Sequence, residues 1–496
     1  MSSVVSLHDV SFELPNGREL FSHLHLSLGP SLTALIGPNG IGKTCLARIV
    51  AGELEPTRGT IRRNGPVAFL PQRLEPDAIP VAAFLGEEHA WSPLRERLLE
   101  TIDPEALCTT LSGGEWMRVR LAAVASDSFL VLDEPTNDLD RDGRDAVQHF
   151  LREHTAGALL ISHDRACLQL CDEIVELSNR GLARFGGGWS EYEEAKQLER
   201  DRLSRALDVA KRTRDQAKTQ IAERRAKQDK RNRKGAATAA RGGIPKILAG
   251  GLKRRAEVTS GAIEEATVSR ANDAVRAAHE AFNALKVDPV MYADVGGEAI
   301  PSGKLVAEAR SFNIRLADWL YREDLDFSWR GNVRVALKGA NGSGKSTLIR
   351  ALMGEELDTR GQLRHGALET LYVDQRCASL DDRLSVFENV REVSTLSDSE
   401  IRNALARFLF AKEEVFQKVA TLSGGERLRA ALARGLLATR KPQLLILDEP
   451  TNNLDLANVE FLERLTSAFH GALIVISHDE MFLERAGVTQ ELRIST

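Results

Sequence analysis

The sequence of 496 residues has few of the features that mark secreted or membrane proteins. It contains five cysteines, none of them in a CxxC pair, so no disulfide framework is indicated, as expected in a reducing compartment. No apolar run approaches the ~18 residues that a membrane helix needs. The N-terminal residues lack the basic stretch and apolar core of a signal peptide. These absences predict a cytoplasmic protein with no membrane partner.

The same series of motifs occurs twice along the chain. A glycine-rich loop, a Leu-Ser-Gly-Gly-Glu segment, a Leu-Asp-Glu-Pro-Thr-Asn run and an Ile-Ser-His-Asp run appear in the first third and return, in order, in the last third. Repeats on this scale indicate two copies of a whole domain. The length allows two or three domains. We therefore expect domains at residues 1–189 and 291–496, with a separate segment at 190–290.

Each copy begins with a glycine-rich loop between a predicted strand and a predicted helix. Glycines let consecutive N–H groups point at phosphate oxygens, and the helix N-terminus adds its positive dipole end. Lys43 and Lys345 would bridge the β- and γ-phosphates of a nucleotide, and the hydroxyls of Thr44 and Ser346 would bind Mg²⁺. The loops consist of Gly37, Pro38, Asn39, Gly40, Ile41, Gly42, Lys43 and Thr44, and of Gly339, Ala340, Asn341, Gly342, Ser343, Gly344, Lys345 and Ser346.

An apolar run ending in two carboxylates follows each loop. The runs predict buried parallel strands, whose C-terminal ends are where ligands of open α/β sheets bind. Asp133 and Asp448 are suited to hold Mg²⁺, usually through water, and Glu134 and Glu449 to polarise the attacking water as general bases. Such a pair alone is more often a surface turn, but its position downstream of a phosphate loop favours the functional interpretation.

The Leu-Ser-Gly-Gly-Glu segment resembles the signature motif of ATP-binding cassette (ABC) ATPases. Members pair two cassettes head to tail, which implies one ATP between Lys43 and Ser423 and another between Lys345 and Ser112. Backbone N–H groups and a helix dipole would then meet the γ-phosphate from the opposite side. The signature residues implied are Ser112, Gly113 and Gly114, and Ser423, Gly424 and Gly425.

Further roles follow from the same resemblance. Gln72 and Gln375 look like the glutamines that sense Mg²⁺ and the γ-phosphate, and they join the predicted metal sites. His163 and His478 look like the switch histidines that contact the γ-phosphate. Both copies retain every motif, so both are predicted to hydrolyse ATP.

Two assignments compete with a purely structural explanation. Phe12 and Phe312 lie where an aromatic ring stacks on adenine in the superfamily, although a phenylalanine near a strand is usually a core residue. His163, Cys167 and Cys171 share a helical spacing that three metal ligands could use. The second copy has no such cysteines, so we expect Cys167 and Cys171 to be small core residues.

The segment between the copies differs from them in charge. Residues 196–255 contain 20 Lys/Arg and 6 Asp/Glu, a net charge of +14, whereas the whole chain carries −5 and the other 436 residues therefore −19. A basic element on an acidic body is expected of a protein that contacts a polyanion.

We predict that residues 190–290 form a helical hairpin. Residues 191–234 lack Gly and Pro and are rich in helix formers, which predicts a long helix that Gly235 and the Gly and Pro residues after it would break. A second helix would run over residues 263–286. The tip, residues 241–255, is basic with apolar residues. A solvated charged linker is the alternative.

Two cassettes without a membrane domain, joined by a basic helical linker, resemble the ABC-F family. The predicted fold is therefore α/β, with two P-loop ABC ATPase domains joined by an α-helical hairpin. The resemblance implies a monomer that closes and opens its cassettes with ATP. It also implies binding to the ribosome, with residues 190–290 near rRNA and the P-site tRNA. Family members relieve stalled translation or protect ribosomes from antibiotics.

One departure and two alternatives bear on this interpretation. Glu480 occupies a position where family members commonly carry arginine. An ATP-binding subunit of an ABC transporter would pair with a membrane protein on a separate chain. An ATPase acting on DNA fits less well, because the helical segment here lies between the cassettes rather than inside one.

Overall fold

The computed structural model describes residues 4–86, 93–124, 127–239, 269–270, 272–273, 276–277 and 297–495. The chain divides into two compact units, one made of residues 1–192 with 291–496 and the other of residues 193–290. The first unit contains both motif copies. The boundaries predicted between the two cassettes and the linker stay predictions.

Nine strands are described in the N-terminal cassette: β1 (Val5–Glu13), β2 (Glu19–Leu28), β3 (Leu32–Ile36), β4 (Arg58–Arg63), β5 (Val67–Leu70), β6 (Phe129–Asp133), β7 (Ala158–Ile161), β8 (Glu173–Ser178) and β9 (Gly181–Gly186). An antiparallel sheet has the order β2-β1-β4, and a second sheet has the order β5-β6-β7-β3-β8-β9. The second sheet is parallel up to β8, and β9 pairs antiparallel with β8.

Helices follow these strands in the order expected of α/β units. They are α1 (Lys43–Ala51), α2 (Val81–Leu85), α3 (Pro93–Leu99), α4 (Gly113–Val124), α5 (Arg141–Glu153), α6 (Arg165–Leu168) and α7 (Trp189–Ala239), with a 3₁₀ turn at Cys108–Thr110.

The C-terminal cassette repeats this plan. Its strands are β10 (Leu305–Arg315), β11 (Leu325–Arg330), β12 (Arg334–Lys338), β13 (Asp358–His365), β14 (Thr370–Val373), β15 (Leu444–Asp448), β16 (Ala472–Ile476) and β17 (Gln490–Arg493). The antiparallel sheet is β11-β10-β13, and the parallel sheet is β14-β15-β16-β12-β17.

The helices of the second cassette are α8 (Lys345–Leu352), α9 (Val386–Arg391), α10 (Asp398–Leu405), α11 (Gly424–Leu436), α12 (Leu456–Ala468) and α13 (Glu480–Arg485). Short 3₁₀ turns lie at Ala406–Phe408, Lys412–Phe416 and Val419–Thr421.

The predicted carboxylate strands are buried interior strands of the two parallel sheets. Every residue of β6 and β15 is buried, and both strands have a parallel neighbour on each side, which confirms the prediction. Their apolar side chains can pack on both faces of the sheet, as in other parallel sheets covered by helices. The last residue of each strand therefore emerges at the sheet edge where the loops of the site meet.

The first linker helix is longer than predicted. Helix α7 spans 51 residues, from Trp189 to Ala239, and continues through Gly235. The prediction that Gly235 breaks the helix was wrong, because one glycine costs only ~1 kcal/mol and alanines follow it. The hairpin tip at 241–255 and most of the second helix at 263–286 lie outside the described residues. No helix in the described ranges is long and apolar enough to cross a membrane.

Candidate nucleotide sites

Each glycine-rich loop ends at a helix that begins with its lysine. Helices α1 and α8 start at Lys43 and Lys345, after Gly42 and Gly344 in the left-handed conformation with φ of 107° and 84°. A Cβ on Gly42 would lie 3.1 Å from the Phe21 ring, so the tight approach of loop and sheet requires glycine. The free N–H groups of both helix N-termini line a cradle suited to phosphate.

The lysines fold back over their own loops. Lys43 Nζ donates to the carbonyl of Gly37 at 2.7 Å, and Lys345 Nζ donates to that of Gly339 at 2.7 Å. Burial lowers the pKa of both ammonium groups, although the neighbouring carboxylates partly oppose it. Each lysine is therefore held at the loop, where its ammonium group can donate to a phosphate oxygen instead of a loop carbonyl.

A hydroxyl and a carboxylate meet beside each lysine. The Thr44 hydroxyl hydrogen-bonds the Asp133 carboxylate, and the Ser346 hydroxyl does the same for Asp448. The Tyr372 hydroxyl also donates to Asp448, at 3.3 Å. Among the described side chains, Asp133 Oδ1 is one of the buried oxygens that have no hydrogen-bond partner. Hydroxyl and carboxylate oxygens are the ligands that Mg²⁺ prefers, so these residues fit the metal.

The glutamate after each aspartate adopts a strained backbone. Glu134 and Glu449 have φ of 49° and 47°, in the left-handed region that residues other than glycine rarely adopt. Strain of this kind persists only where the surrounding structure enforces it, and it is concentrated at functional sites. Here it turns both carboxylates out of the strand direction and towards His163 and His478.

A histidine lies against each glutamate. His163 Nε2 is 3.3 Å from Glu134 Oε1, and His478 Nε2 is 3.3 Å from Glu449 Oε1. Burial raises the pKa of both glutamates to about 7, although the nearby lysines oppose the shift. Burial also lowers the pKa of His478 to about 4 and that of His163 well below its usual range. Each site thus pairs a neutral imidazole with a carboxyl group that titrates near neutral pH.

The two glutamines follow the strands beside the carboxylate strands. Leu70 pairs with Leu132 and Val373 with Leu447, so Gln72 and Gln375 leave the sheet at the level of Glu134 and Glu449. Both glutamine side chains are exposed at the mouth of the site. From this position each glutamine side chain can contact a nucleotide once the nucleotide has bound.

Contacts between the cassettes join each phosphate loop to the opposite copy. The Asn39 N–H donates to Asp455 Oδ2 at 3.1 Å, and its side chain donates to the Asn453 carbonyl at 3.2 Å. In the pseudo-symmetric position, the Asn341 side chain donates to the Asp138 carbonyl at 3.0 Å. The cross-cassette contacts of Asp138, Asn453 and Asp455 were not predicted from the sequence, although these residues lie within three positions after the Pro-Thr-Asn run of each copy.

The signature helices lie beside these cross-cassette contacts. Ser423 caps α11 by accepting from the Glu426 N–H, and Gly425 packs against Asn458, which in turn donates to Asp455. Because Asp455 accepts from Asn39, this signature helix lies next to the Lys43 loop.

The pseudo-symmetric contact has the same construction. Gly114 packs against Gly143 and Asp140, and Asp140 accepts from the Asn341 N–H at 3.4 Å. The Ser112 helix therefore lies next to the Lys345 loop. We call the Lys43 loop with the Ser423 helix the first site, and the Lys345 loop with the Ser112 helix the second site.

Phe12 and Phe312 do not face either site. They are only 8% and 2% exposed and belong to the apolar cores beneath the antiparallel sheets, where Phe12 packs against Phe21. Both rings are therefore core residues, which corrects the adenine-stacking assignment. Trp319 is a more exposed aromatic, at 36%, and its neighbour Leu320 packs on Gly344 of the second loop.

Cys167 and Cys171 are core residues, as predicted. They are 0% and 4% exposed and pack in the core of the first cassette. In the described part of the chain, no group of three or more His, Cys, Asp or Glu residues could hold a metal ion.

The comparisons with known proteins agree with this arrangement. The family model described as ABC transporter matches residues 22–137 and 322–452. The tylosin resistance ATP-binding protein TlrC of Streptomyces fradiae is 30% identical over 99% of this chain and 98% of its own length. The chain belongs to the ABC-F family of ATPases. It hydrolyses ATP.

Two further comparisons support the family and the fold. The energy-dependent translational throttle protein EttA of Haemophilus influenzae is 29% identical over 97% of this chain and 90% of its own length. The archaeal ribosome recycling factor aABCE1, solved in complex with the ribosomal stalk protein aP1, has a TM-score of 0.60 with 17% identity. The match covers 98% of this chain and 87% of the aABCE1 chain, which confirms the tandem-cassette fold.

Proposed function

We propose that this ABC-F protein binds the ribosome and acts on translation, either by relieving stalling or by protecting the ribosome from an antibiotic. The observation that carries the proposal is that the two cassettes are hydrogen-bonded to each other and that a basic helix of 51 residues lies between them in the sequence. The names of TlrC and EttA, which mention antibiotic resistance and translation, support it.

The ATP chemistry is assigned to the chain's own side chains. The lysine of each loop would hold the β- and γ-phosphates, and the opposite signature helix would present N–H groups to the γ-phosphate. Glu134 and Glu449 would accept a proton from the attacking water, and His163 and His478 would orient the γ-phosphate. Mg²⁺, when bound by the hydroxyl and carboxylate pairs, would neutralise part of the phosphate charge.

Closing of the cassettes would be the step that ATP controls. Each phosphate loop already bonds the opposite cassette through one asparagine, so a bound γ-phosphate would add contacts on both sides of the same interface. Hydrolysis removes those contacts and allows the interface to open. Because both cassettes are on one chain, the interface closes at high effective concentration.

The linker is the proposed point of contact with RNA. In the described part of α7, Lys211, Arg212, Lys227, Lys230 and Arg231 are exposed. Such side chains bind phosphates with little sequence dependence, which positions a protein on RNA. Residues 190–290 would then lie near rRNA and the P-site tRNA.

The test is to trap the ATP-bound protein on ribosomes. In the double variant Glu134→Gln/Glu449→Gln, the proposed general bases are lost while size and ATP binding are preserved. We expect more than a hundredfold slower turnover. The variant should co-sediment with ribosomes in ATP and inhibit translation in a cell extract.

A matched control replaces two glutamates in exposed ion pairs, Glu355→Gln and Glu369→Gln, and should behave like the parent protein. If the trapped protein stays at the top of the gradient, ribosome binding is wrong. Capture of a membrane permease or of DNA by the same trapped protein would favour the transporter or the DNA alternative.

A further inference from the structure

Two side chains of the first signature helix hold the loop around Gln72. Trp116 Nε1 donates to the Leu74 carbonyl at 2.9 Å, and the Arg120 guanidinium donates to the Pro71 carbonyl. Both donors lie one helical turn apart on α4 and are nearly buried, Trp116 at 9% and Arg120 at 4% exposure. The two acceptor carbonyls lie before and after Gln72 in the sequence. We call residues 71–74 the Gln72 loop.

This connection joins parts of two different ATP sites. Gln72 belongs to the first site, because β5 places it beside Glu134. The N-terminus of α4 belongs to the second site, because Gly114 packs on Asp140, which accepts from Asn341. A shift of the Gln72 loop on binding of ATP would therefore be transmitted along a rigid helix to the signature of the other site.

The equivalent side chains of the second cassette do not make these two bonds. Counting from the signature serines, Trp116 corresponds to Arg427 and Arg120 to Ala431. Arg427 pairs with Asp382 at 2.7 Å, and the alanine has no donor to offer. The loop after Gln375 is stabilised by its own turn, in which Asp374 Oδ1 accepts from the Ala378 N–H at 2.7 Å.

We propose that Trp116 and Arg120 are positioning residues that couple the two ATP sites by connecting the Gln72 loop of the first site to the signature helix of the second. Neither residue belongs to the motifs assigned to the nucleotide. They act by donating hydrogen bonds to two backbone carbonyls of the Gln72 loop, those of Pro71 and Leu74, so that the loop and α4 move as one body. The inference rests on the proposed assignment of the two sites.

The experiment measures equilibrium ATP binding in the Glu134→Gln/Glu449→Gln background, so that no turnover intervenes. Arg120→Met removes the donor and keeps the length of the side chain, and Trp116→Phe removes only the indole N–H and part of the ring. In both variants we expect the Hill coefficient of ATP binding to fall towards one. The affinity of the weaker site for ATP should fall by roughly tenfold. Arg120→Lys, which retains a donor, should restore most of the cooperativity.

Two controls separate coupling from a general loss of structure. Arg118→Met changes the same helix, where the guanidinium donates to Thr101 instead, and should leave cooperativity unchanged. With the first site disabled by Lys43→Ala, Arg120→Met should no longer alter ATP binding at the second site. Thermal unfolding of each variant checks that it is folded.

Unchanged cooperativity in a folded Arg120→Met or Trp116→Phe protein would overturn the proposal. So would a Hill coefficient of one in the background protein, because there would be no coupling to lose. Ribosome sedimentation of the same proteins tests the proposed function separately. Variants that bind ribosomes normally while retaining full cooperativity would overturn the coupling alone.

Discussion

The glutamates after the carboxylate strands show how one residue can combine several unusual properties. Glu134 and Glu449 have a left-handed backbone, a buried carboxyl group and a neutral histidine 3.3 Å away. Burial outweighs the attraction of the lysines and raises both pKa values to about 7. A carboxyl group with this pKa can exchange a proton at neutral pH, as a general base must.

The raised pKa predicts a pH dependence of turnover. The proposed general bases act as carboxylates, which exist above the pKa, so kcat/KM for ATP should rise with pH, reach half its maximum near pH 7 and level off above pH 8. This parameter reports the free enzyme. The measurement is steady-state hydrolysis between pH 5.5 and 9 at constant ionic strength. A flat profile from pH 6 to 8 would show that these carboxyl groups do not limit the reaction.

At the scale of elements, one arginine ties together two helices of the second cassette. Arg334, the first residue of β12, donates to the carbonyls of Thr466, Phe469 and Ala486. These carbonyls end α12 and α13, where the helix dipole favours a cation. The arginine therefore satisfies helix ends that would otherwise be left without donors.

Replacing Arg334 by methionine should destabilise the second cassette. Because several carbonyls lose a charged donor, we expect a loss of roughly 2–4 kcal/mol in the free energy of unfolding. Hydrogen exchange should show faster opening of α12 and α13 while α5 in the first cassette stays protected. Arg330→Met, which removes an exposed arginine close to this strand, is the control. Equal protection in both variants would contradict the role.

The exposed cations of α7 make a second prediction at this scale. Reversing the charge of Lys227, Lys230 and Arg231 should weaken ribosome binding and reduce its salt dependence, because fewer counterions are released per complex. Binding is measured by sedimentation at several salt concentrations. Intrinsic ATP hydrolysis should stay within twofold of the parent rate, since no motif residue lies on this helix. A reversed variant with unchanged salt dependence would exclude these positions from the RNA contact.

At the scale of the whole molecule, the two cassettes meet through a buried ion pair that occurs at only one of two pseudo-symmetric positions. Arg165, which follows the first switch motif, pairs with Glu463 on α12, and their side chains are 2% and 7% exposed. Glu480, at the position equivalent to Arg165, instead pairs with Lys338 of its own cassette at 2.8 Å. The departure noted in the sequence therefore makes the interface asymmetric.

Breaking the buried pair should weaken cassette closing. Among the described side chains, Arg165→Met leaves Glu463 paired with Arg485 alone, and loss of one member of a buried pair costs roughly 3–5 kcal/mol. The KM for ATP should rise at least tenfold, and the double variant Arg165→Met/Glu463→Gln should recover part of the loss. Lys338→Met/Glu480→Gln serves as the control. Additive effects of the two single changes would show that the pair is not coupled.

The sequence alone determined the parts of this protein whose chemistry is contiguous. The phosphate loops, the carboxylate strands and the tandem ABC-F architecture all depend on short motifs in which local backbone geometry and residue type act together. The buried strands β6 and β15 were predictable because their apolar runs are short and uninterrupted. The signature serines could be assigned to the opposite cassettes only through resemblance.

Only the tertiary structure decided how distant segments meet. The bonds from Asn39 to Asp455 and from Arg165 to Glu463 join residues that are 416 and 298 positions apart, and no local pattern encodes such distances. The same reason explains the error at Phe12 and Phe312, since a phenylalanine in a strand can face a base or the core, and the packing of the antiparallel sheet turns both inward. Which side chain faces which partner is a property of the folded whole, because it follows from how complete elements pack rather than from the preferences of any one of them.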